Sequence, residues 1–484
     1  MLSTADQVKN SFIYLIPTIV SSLLPFLTFP IFTRIFTKEE FGVLALAQIY
    51  ATLAAGISNF GLIIGFKRNF FQYQTRSDRS SLLYSALAFV CLMLLASAVL
   101  TYVFKHQLAE FFLGSSEYGN FLFIVFCTYA VATLKPYFLD YFTNYENAKA
   151  NVRIVVADSI ITAMASLALV LIFKTGIEGL PLGQLIGSVV VLSFLIFWFG
   201  FNLPFALSWQ QFKECIKISY PLTPTILLKT INSQFDKYMI GRMDSVGGTG
   251  LYSIGQRLSI TLFTFMTALQ NVYQPNVYKF MFDAEGEGGK EIGQYLTPFL
   301  YVSIAAGVLL SLFAEEVVTV LAPKSYHGAI EITIILSMFY GILFFSKQPQ
   351  LVYAKKTHIS SLLFLVSMAL NIGINIPFIK VWGFLGAAWA TFIAGLVSSI
   401  ISFVISQYYY KIHWEYKKLV AIYFIFFLSS ILMILLRHYP TVYYERVLIK
   451  ILLLAAYVFL GTKLGYLSKD NYQTAKQMIV NKFN

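Results

Sequence analysis

Residues 33–42 read TRIFTKEEFG and residues 241–250 read GRMDSVGGTG, and the parallel between them decides the fold. In each stretch an arginine ends an apolar run and stands eight positions before a glycine: Arg34 before Gly42, Arg242 before Gly250. The two arginines lie 208 positions apart (242 − 34). Working outward, Pro17, Pro25 and Pro30 punctuate the apolar run leading into the first stretch, as Pro221 and Pro224 punctuate the run leading into the second. Further along, Gly176-Ile177-Glu178-Gly179 matches Gly383-Phe384-Leu385-Gly386 at an offset of 207 (383 − 176). Parallel duplication of a helical bundle is a plan from which secondary transporters build two lobes. The matched prolines mark bending elements in the two lobes, since membrane helices tolerate Pro where neighbours or water satisfy the freed carbonyls.

Composition fixes the class. Of 484 residues, 58% are hydrophobic and 12% charged, where a soluble globule carries roughly a quarter charged residues. Apolar runs of about 20 residues recur, each long enough for a hydrocarbon core of about 30 Å. They are continuously apolar rather than alternating, which favours helices over a barrel. The expected fold is therefore an all-α polytopic membrane protein of about 14 spans. The runs are 10–33, 41–65, 82–104, 119–139, 152–174 and 180–200 in the first half, and 216–242, 250–275, 293–314, 328–347, 358–379 and 384–407 in the second. Two more follow, 416–436 and 446–465. This divides the chain into a six-helix lobe at 1–208, a second at 209–412, and two additional helices with a cytoplasmic tail at 413–484. The first run begins near Ser11 and extends past Pro30, too long for a signal-peptide core, so it reads as an uncleaved first helix.

The net charge of +12 comes from short basic loops rather than a basic domain, which speaks for membrane orientation and against nucleic acid. With the N-terminus inside, 22 of the 35 Lys and Arg fall on cytoplasmic segments, among them Lys9, Lys67, Arg68, Lys135, Lys279, Lys290, Lys355, Lys356, Lys411, Lys469, Lys476 and Lys482. Ten fall opposite, including Arg34, Arg242, Lys324, Arg437, Arg446 and Lys450. That asymmetry places both termini in the cytoplasm. Cys91, Cys127 and Cys215 show no paired spacing, and neither a disulfide framework nor a metal site is expected.

Candidate chemistry concentrates in the seventh span, where Lys229, Ser233, Asp236 and Lys237 fall on one helical face or its edge. Lys229 lies near the bilayer midplane, where a lysine costs roughly 2.5–3.5 kcal/mol and seldom faces lipid. Asp236 is a charge partner for Lys237, for Arg34 of the first span or for Arg257 of the eighth, and one carboxylate does not neutralise all of them. The excess of positive charge predicts a hydrated cationic cavity for an anionic ligand, bound by Arg34, Lys229, Lys237 and Arg257. Snorkelling to the interface is the plainer account of Lys237 and Arg34. Asp158 in the fifth span is either a titrating residue coupled to transport or a hydrogen-bond partner of a neighbouring helix.

Enzyme signals are weak. Gly286-Glu287-Gly288-Gly289-Lys290 lacks the spacing and trailing hydroxyl of a phosphate loop, and the five His form no HExxH pattern. The longest expected loops, near 66–81, 201–215 and 276–292, are too short for a catalytic domain. No cofactor is expected, and a driving force would come from an ion gradient, the membrane potential or substrate flux.

The motifs Pro30-Ile31-Phe32-Thr33-Arg34 with Glu40-Phe41-Gly42, and Asn59-Phe60-Gly61-Leu62 with Arg68, carry a family resemblance. So do FDKYMIGRM, GLYSIGQRL, Gln274-Pro275-Asn276-Val277-Tyr278-Lys279 and, at 383–395, GFLGAAWATFIAG. Over roughly residues 5–410 the chain resembles a Wzx-type polysaccharide flippase of the multidrug/oligosaccharidyl-lipid/polysaccharide (MOP) exporter superfamily. The resemblance implies a non-enzymatic protein of the bacterial inner membrane. It would move undecaprenyl-diphosphate-linked repeat units of O-antigen or exopolysaccharide from the cytoplasmic to the periplasmic leaflet by alternating access. Its implied partners are that glycan, the bilayer, and a glycan polymerase with chain-length partners; nucleic acid is not among them. On this reading Tyr238, Tyr252 and Tyr273 face the glycan. The rivals are a lipid II flippase, a cation-coupled multidrug exporter of the same superfamily and, in a different class, a membrane enzyme of envelope glycan assembly.

Overall fold

The computed structural model describes residues 15–144, 148–283, 288–345, 349–439 and 442–466. Lys9, Lys347, Lys469, Lys476 and Lys482, the Gly286-Glu287 pair, the expected start of the first span and the expected tail lie outside the described residues. Among the described residues all the regular secondary structure is helical, with no strand.

It forms two compact units, Met1–Arg242 and Met243–Asn484. The first contains α1 (Leu15–Ile35), α2 (Lys38–Asn59), α3 (Leu62–Phe70), α4 (Arg76–Val103), α5 (Lys105–Leu113), α6 (Gly119–Asn144), α7 (Ala148–Leu171), α8 (Gly179–Asn202), α9 (Trp209–Ser219) and α10 (Thr223–Met243). The second contains α11 (Val246–Asp283), α12 (Gly289–Leu312), α13 (Ala314–Leu321), α14 (Ala329–Ile342), α15 (Pro349–Tyr353), α16 (Thr357–Tyr409), α17 (Tyr416–His438) and α18 (Tyr443–Lys463).

These units do not follow the expected lobe bounds. Residues 209–242 pack in the first unit, and the two additional helices pack in the second. Local contacts explain the first difference. The Gly65 amide donates to Ser219 Oγ (3.2 Å), Thr223 Oγ1 donates to the Phe60 carbonyl (2.8 Å), and Asn69 Nδ2 donates to Cys215 Sγ (3.6 Å). A side chain at Gly65 would meet the Cys215 carbonyl at 2.5 Å, so α9 lies flush on α3. Both helices run partly through stretches expected to be loops, near 66–81 and 201–215. Each is a short amphipathic helix whose buried face is small and interrupted, which hides it from a search for long apolar runs. The expected span 216–242 also starts later than predicted, because a 3-10 turn at Tyr220–Leu222 intervenes where Pro221 lacks a donor.

Nine described helices are long and apolar enough to cross a membrane. One of them, α16, bends at Gly383 and supplies two segments. The further helices α1, α10, α11 and α18 have 21, 21, 38 and 21 residues, lengths that are also sufficient. Their order is consistent with the fourteen expected spans.

The duplication recurs in backbone chemistry. Thr37 caps α2 in a capping box: Thr37 Oγ1 accepts from the Glu40 amide (3.2 Å), while Glu40 Oε2 accepts from the Thr37 amide (2.8 Å). At the same offset of 208 (245 − 37), Ser245 Oγ accepts from the Gly248 amide (3.0 Å) at the start of α11. Gly176 and Gly383 both adopt positive φ, +66° and +58°, a region that costs other residues free energy.

At Gly383 (ψ −139°) the kink is backed by Asp244, whose Oδ2 accepts from the Phe384 amide at 3.0 Å. A Cβ there would stand 2.9–3.0 Å from that carboxylate. Gly383→Ala is expected to destabilise the protein by about 1–3 kcal/mol. Gly200→Ala, in an open helical position, should stay within about 0.5 kcal/mol. Thermal unfolding of both in lipid nanodiscs checks the contrast, and equal midpoints would refute it.

The two additional helices are fastened within the second unit by ion pairs. Lys450 of α18, only 1% exposed, donates to Glu315 Oε2 (3.2 Å) and Glu316 Oε1 (2.6 Å) of α13, and Arg446 Nη2 donates to Glu315 Oε1 (2.9 Å). Arg437 at the end of α17 pairs with Glu331 of α14 (3.4 Å).

Candidate functional site

Helix α10 carries three of the expected site residues, and its register gives each a different setting. Thr225, Lys229 and Ser233 recur at four-residue spacing and are all exposed, so the middle of the helix presents a polar stripe around one ammonium group. Asp236 lies on the continuation of that face but is buried, at 7% exposure. Lys237 is half-buried and donates to Gln234 Oε1 at 3.2 Å.

Both ends of α10 are tethered within the first unit. Its start is held by the Thr223–Phe60 bond. At its end, Arg242 donates to the carbonyls of Glu110 and Phe111 and lies over the rings of Phe111 (5.4 Å) and Tyr238 (5.9 Å). Arg242 thus caps the α5 C-terminus, where cations are favoured by the helix dipole.

Arg34, near the end of α1, is exposed and donates from Nη1 to the Pro30 carbonyl at 2.6 Å. Arg257 is exposed on α11, in the second unit. Tyr238 packs against Phe111 and Phe112, with ring centroids 6.0 and 5.9 Å away. Tyr252, expected to face a glycan, is instead fully buried, with its hydroxyl 3.4 Å from Thr391 Oγ1. Tyr273 lines a cavity within the second unit.

Asp158 is drawn to a residue that the charge count placed in a cytoplasmic segment. Lys135 lies inside α6, and its Nζ donates to both Asp158 oxygens (2.8 and 2.6 Å) and to Ser188 Oγ (3.0 Å). Side-chain exposures of 12% and 25% make this an internal tie between α6, α7 and α8. Close helix approach allows it: at Gly183 and Gly187 of α8 a Cβ would collide with Ser166 and Thr162 of α7. Lys135 also lies next to Pro136, within the expected span's own limits, and a lysine so placed is itself a signal of an internal partner.

Comparison with known proteins follows the same lines. A family model described as polysaccharide biosynthesis protein matches residues 7–281, more than half of the chain. No curated protein sequence matches significantly. Among solved structures, the chain is similar to the lipid II flippase MurJ in an inward closed conformation. The TM-score is 0.71 at 17% identity, covering 94% of this chain and 99% of that one. It is also similar to an inward-facing multidrug resistance transporter of the MATE family in the MOP superfamily (TM-score 0.59, 14% identity, 82% and 97% covered). A Vibrio cholerae MATE transporter, VcmN, gives a TM-score of 0.52 at 12% identity, with 84% and 97% covered. At these identities the likeness is one of fold.

Proposed function

Since the chain belongs to the polysaccharide biosynthesis protein family, we propose that it is a flippase for lipid-linked oligosaccharide. It moves an undecaprenyl-diphosphate-linked repeat unit from the cytoplasmic to the periplasmic leaflet of the bacterial inner membrane by alternating access. The observation that carries this reading is Lys229, a cation exposed midway along a spanning helix and flanked on its face by Thr225 and Ser233. An ammonium at that depth is costly against lipid and useful against a diphosphate. Arg34 and Lys237 on the first unit and, separately, Arg257 on the second are further cations available to an anionic headgroup. The polyprenyl tail remains in lipid. A cationic drug would be repelled by this set, which disfavours multidrug export.

Neutralising Lys229 and Arg257 together (Lys229→Gln, Arg257→Gln) is expected to lower delivery of surface glycan at least tenfold at matched expression, in cells lacking the native gene copy. Lys229→Arg, which keeps the charge, should retain most of it. Undiminished delivery by the doubly neutral variant would remove the cationic mechanism. The fold likeness to a lipid II flippase favours a second reading, because lipid II also presents a diphosphate and sugars. Reconstituted vesicles loaded with either lipid separate the two: the proposed function requires translocation of the oligosaccharide-linked donor.

A further inference from the structure

Helix α9 lies between the end of α8 and the start of α10, flush on α3, where the spanning helices of the first unit leave the membrane. Trp209, Lys213 and Lys217 recur along it at four-residue steps, all exposed, and Tyr220 continues the row into the turn beyond. At about 100° per residue these four occupy an arc of about 80°. The opposite face, with Gln211, Phe212, Cys215 and Ser219, is buried. The chain leading in is firmly held to α4. The Asn202 carbonyl accepts from Arg76 Nη2 (2.8 Å), the Pro204 carbonyl accepts from Ser80 Oγ, and the Ser208 amide donates to Ser85 Oγ (2.8 Å). Phe205 is nevertheless 73% exposed, Trp209 66% and Tyr220 65%. Large rings held open on a tethered backbone form a surface for a partner.

The charge on this face is positive and open. Among the described residues neither Lys213 nor Lys217 makes an ion pair. Lys213 Nζ stands 5.4 Å from the centre of the Trp209 ring. The acid of α9, Glu214, is engaged elsewhere: it accepts from the Tyr73 hydroxyl (2.5 Å) and from Gln72 Nε2 (3.4 Å), beyond the end of α3. Gln72 Oε1 in turn accepts from the exposed Arg68, which brings a third cation beside the helix. Ammonium groups are costly in hydrocarbon, and rings in water bury nothing. One depth suits both, the headgroup layer, where rings meet the acyl boundary and ammonium groups meet phosphates.

We propose that α9 is an interfacial helix that binds anionic phospholipid of the surrounding bilayer through Lys213 and Lys217, with Phe205, Trp209 and Tyr220 seated at the acyl boundary. Zwitterionic lipid offers the rings the same apolar layer. Only an anionic headgroup adds net charge complementary to the lysines, each worth about fivefold in binding near such a surface. The stripe is contributed by the first unit alone and is separate from Lys229, so the inference holds whichever glycan is carried.

Full-length protein in vesicles tests this, with either phosphatidylglycerol or phosphatidylcholine brominated near the headgroup end of its acyl chains, at equal mole fraction. Trp209 emission is read as the difference between the unsubstituted protein and Trp209→Phe. Both lipids should quench it, and phosphatidylglycerol should associate at least fivefold more strongly. Lys213→Gln with Lys217→Gln should bring that ratio to within about twofold of unity, while Lys213→Arg with Lys217→Arg should keep it. Added salt should weaken the preference, because the charges are exposed. Equal association of the two lipids with the unsubstituted protein would overturn the anionic site and leave the rings in ordinary lipid. No quenching by either would give the face to water or to a protein partner, and a preference surviving in the doubly neutral variant would place it elsewhere; both outcomes sink the proposal. Glycan delivery enters none of these readings, so the flippase reading stands or falls apart from them.

Discussion

Lys450→Met destabilises the second unit by about 2–4 kcal/mol, below the range for removing one partner of a fully buried ion pair because the stranded Glu316 is a quarter exposed. The side chain is 1% exposed and sits between two carboxylates, Glu315 at 3.2 Å and Glu316 at 2.6 Å. Without it, Glu315 keeps Arg446, but Glu316 keeps only the Tyr443 hydroxyl at 3.0 Å. One of two adjacent carboxylates is then left short of positive charge in a poorly hydrated place. The loss should be seen as a lower thermal midpoint in nanodiscs, and Glu316→Gln added to Lys450→Met should recover much of it. An unchanged midpoint in the single variant would show that the cluster is well hydrated and contributes little.

The second large effect is expected at Lys135 and Asp158. Lys135→Met strands a carboxylate between α6, α7 and α8, and Asp158→Leu strands an ammonium that retains only Ser188. Each single change should cost about 2–4 kcal/mol, somewhat below the fully buried case because Asp158 is a quarter exposed. The doubly apolar variant should be more stable than either single one, with a coupling of about 1–3 kcal/mol in the cycle. Glycan delivery separates the roles read from the sequence. We expect the double variant to keep it, as an interhelical tie would. Loss of delivery in a stable double variant would make Asp158 a titrating participant in transport. Additive single effects would sink the tie itself.

What was legible in the sequence was whatever recurs locally. Apolar runs announced the long helices. The turns around Arg34 and Arg242, and the glycines at 176 and 383, reappear as matched caps and matched positive-φ residues. The short helices α3 and α9 escaped because each buries only one narrow face. The ion pairs escaped for a different reason: Lys135 and Asp158 are 23 positions apart on separate helices, and Lys450 is 135 positions from Glu315. No local pattern announces which distant charge will meet which. The cavity lined by Tyr273 was the hardest to foresee, since glutamines, tyrosines and one tryptophan scattered over 145 positions (Gln270 to Trp414) are individually ordinary. Lys229 was legible because a lone cation in an apolar run is conspicuous wherever its partners are.

The fastening of α18 to α13 also bears on how the chain is made. Glu315 and Glu316 leave the ribosome 135 and 134 residues ahead of Lys450, the cation both of them share. At about 5–20 residues per second, those acids wait roughly 7–27 s for it. The second unit therefore reaches its final arrangement only when its last described helix has been synthesised, so α18 sets the pace of assembly for helices made well before it.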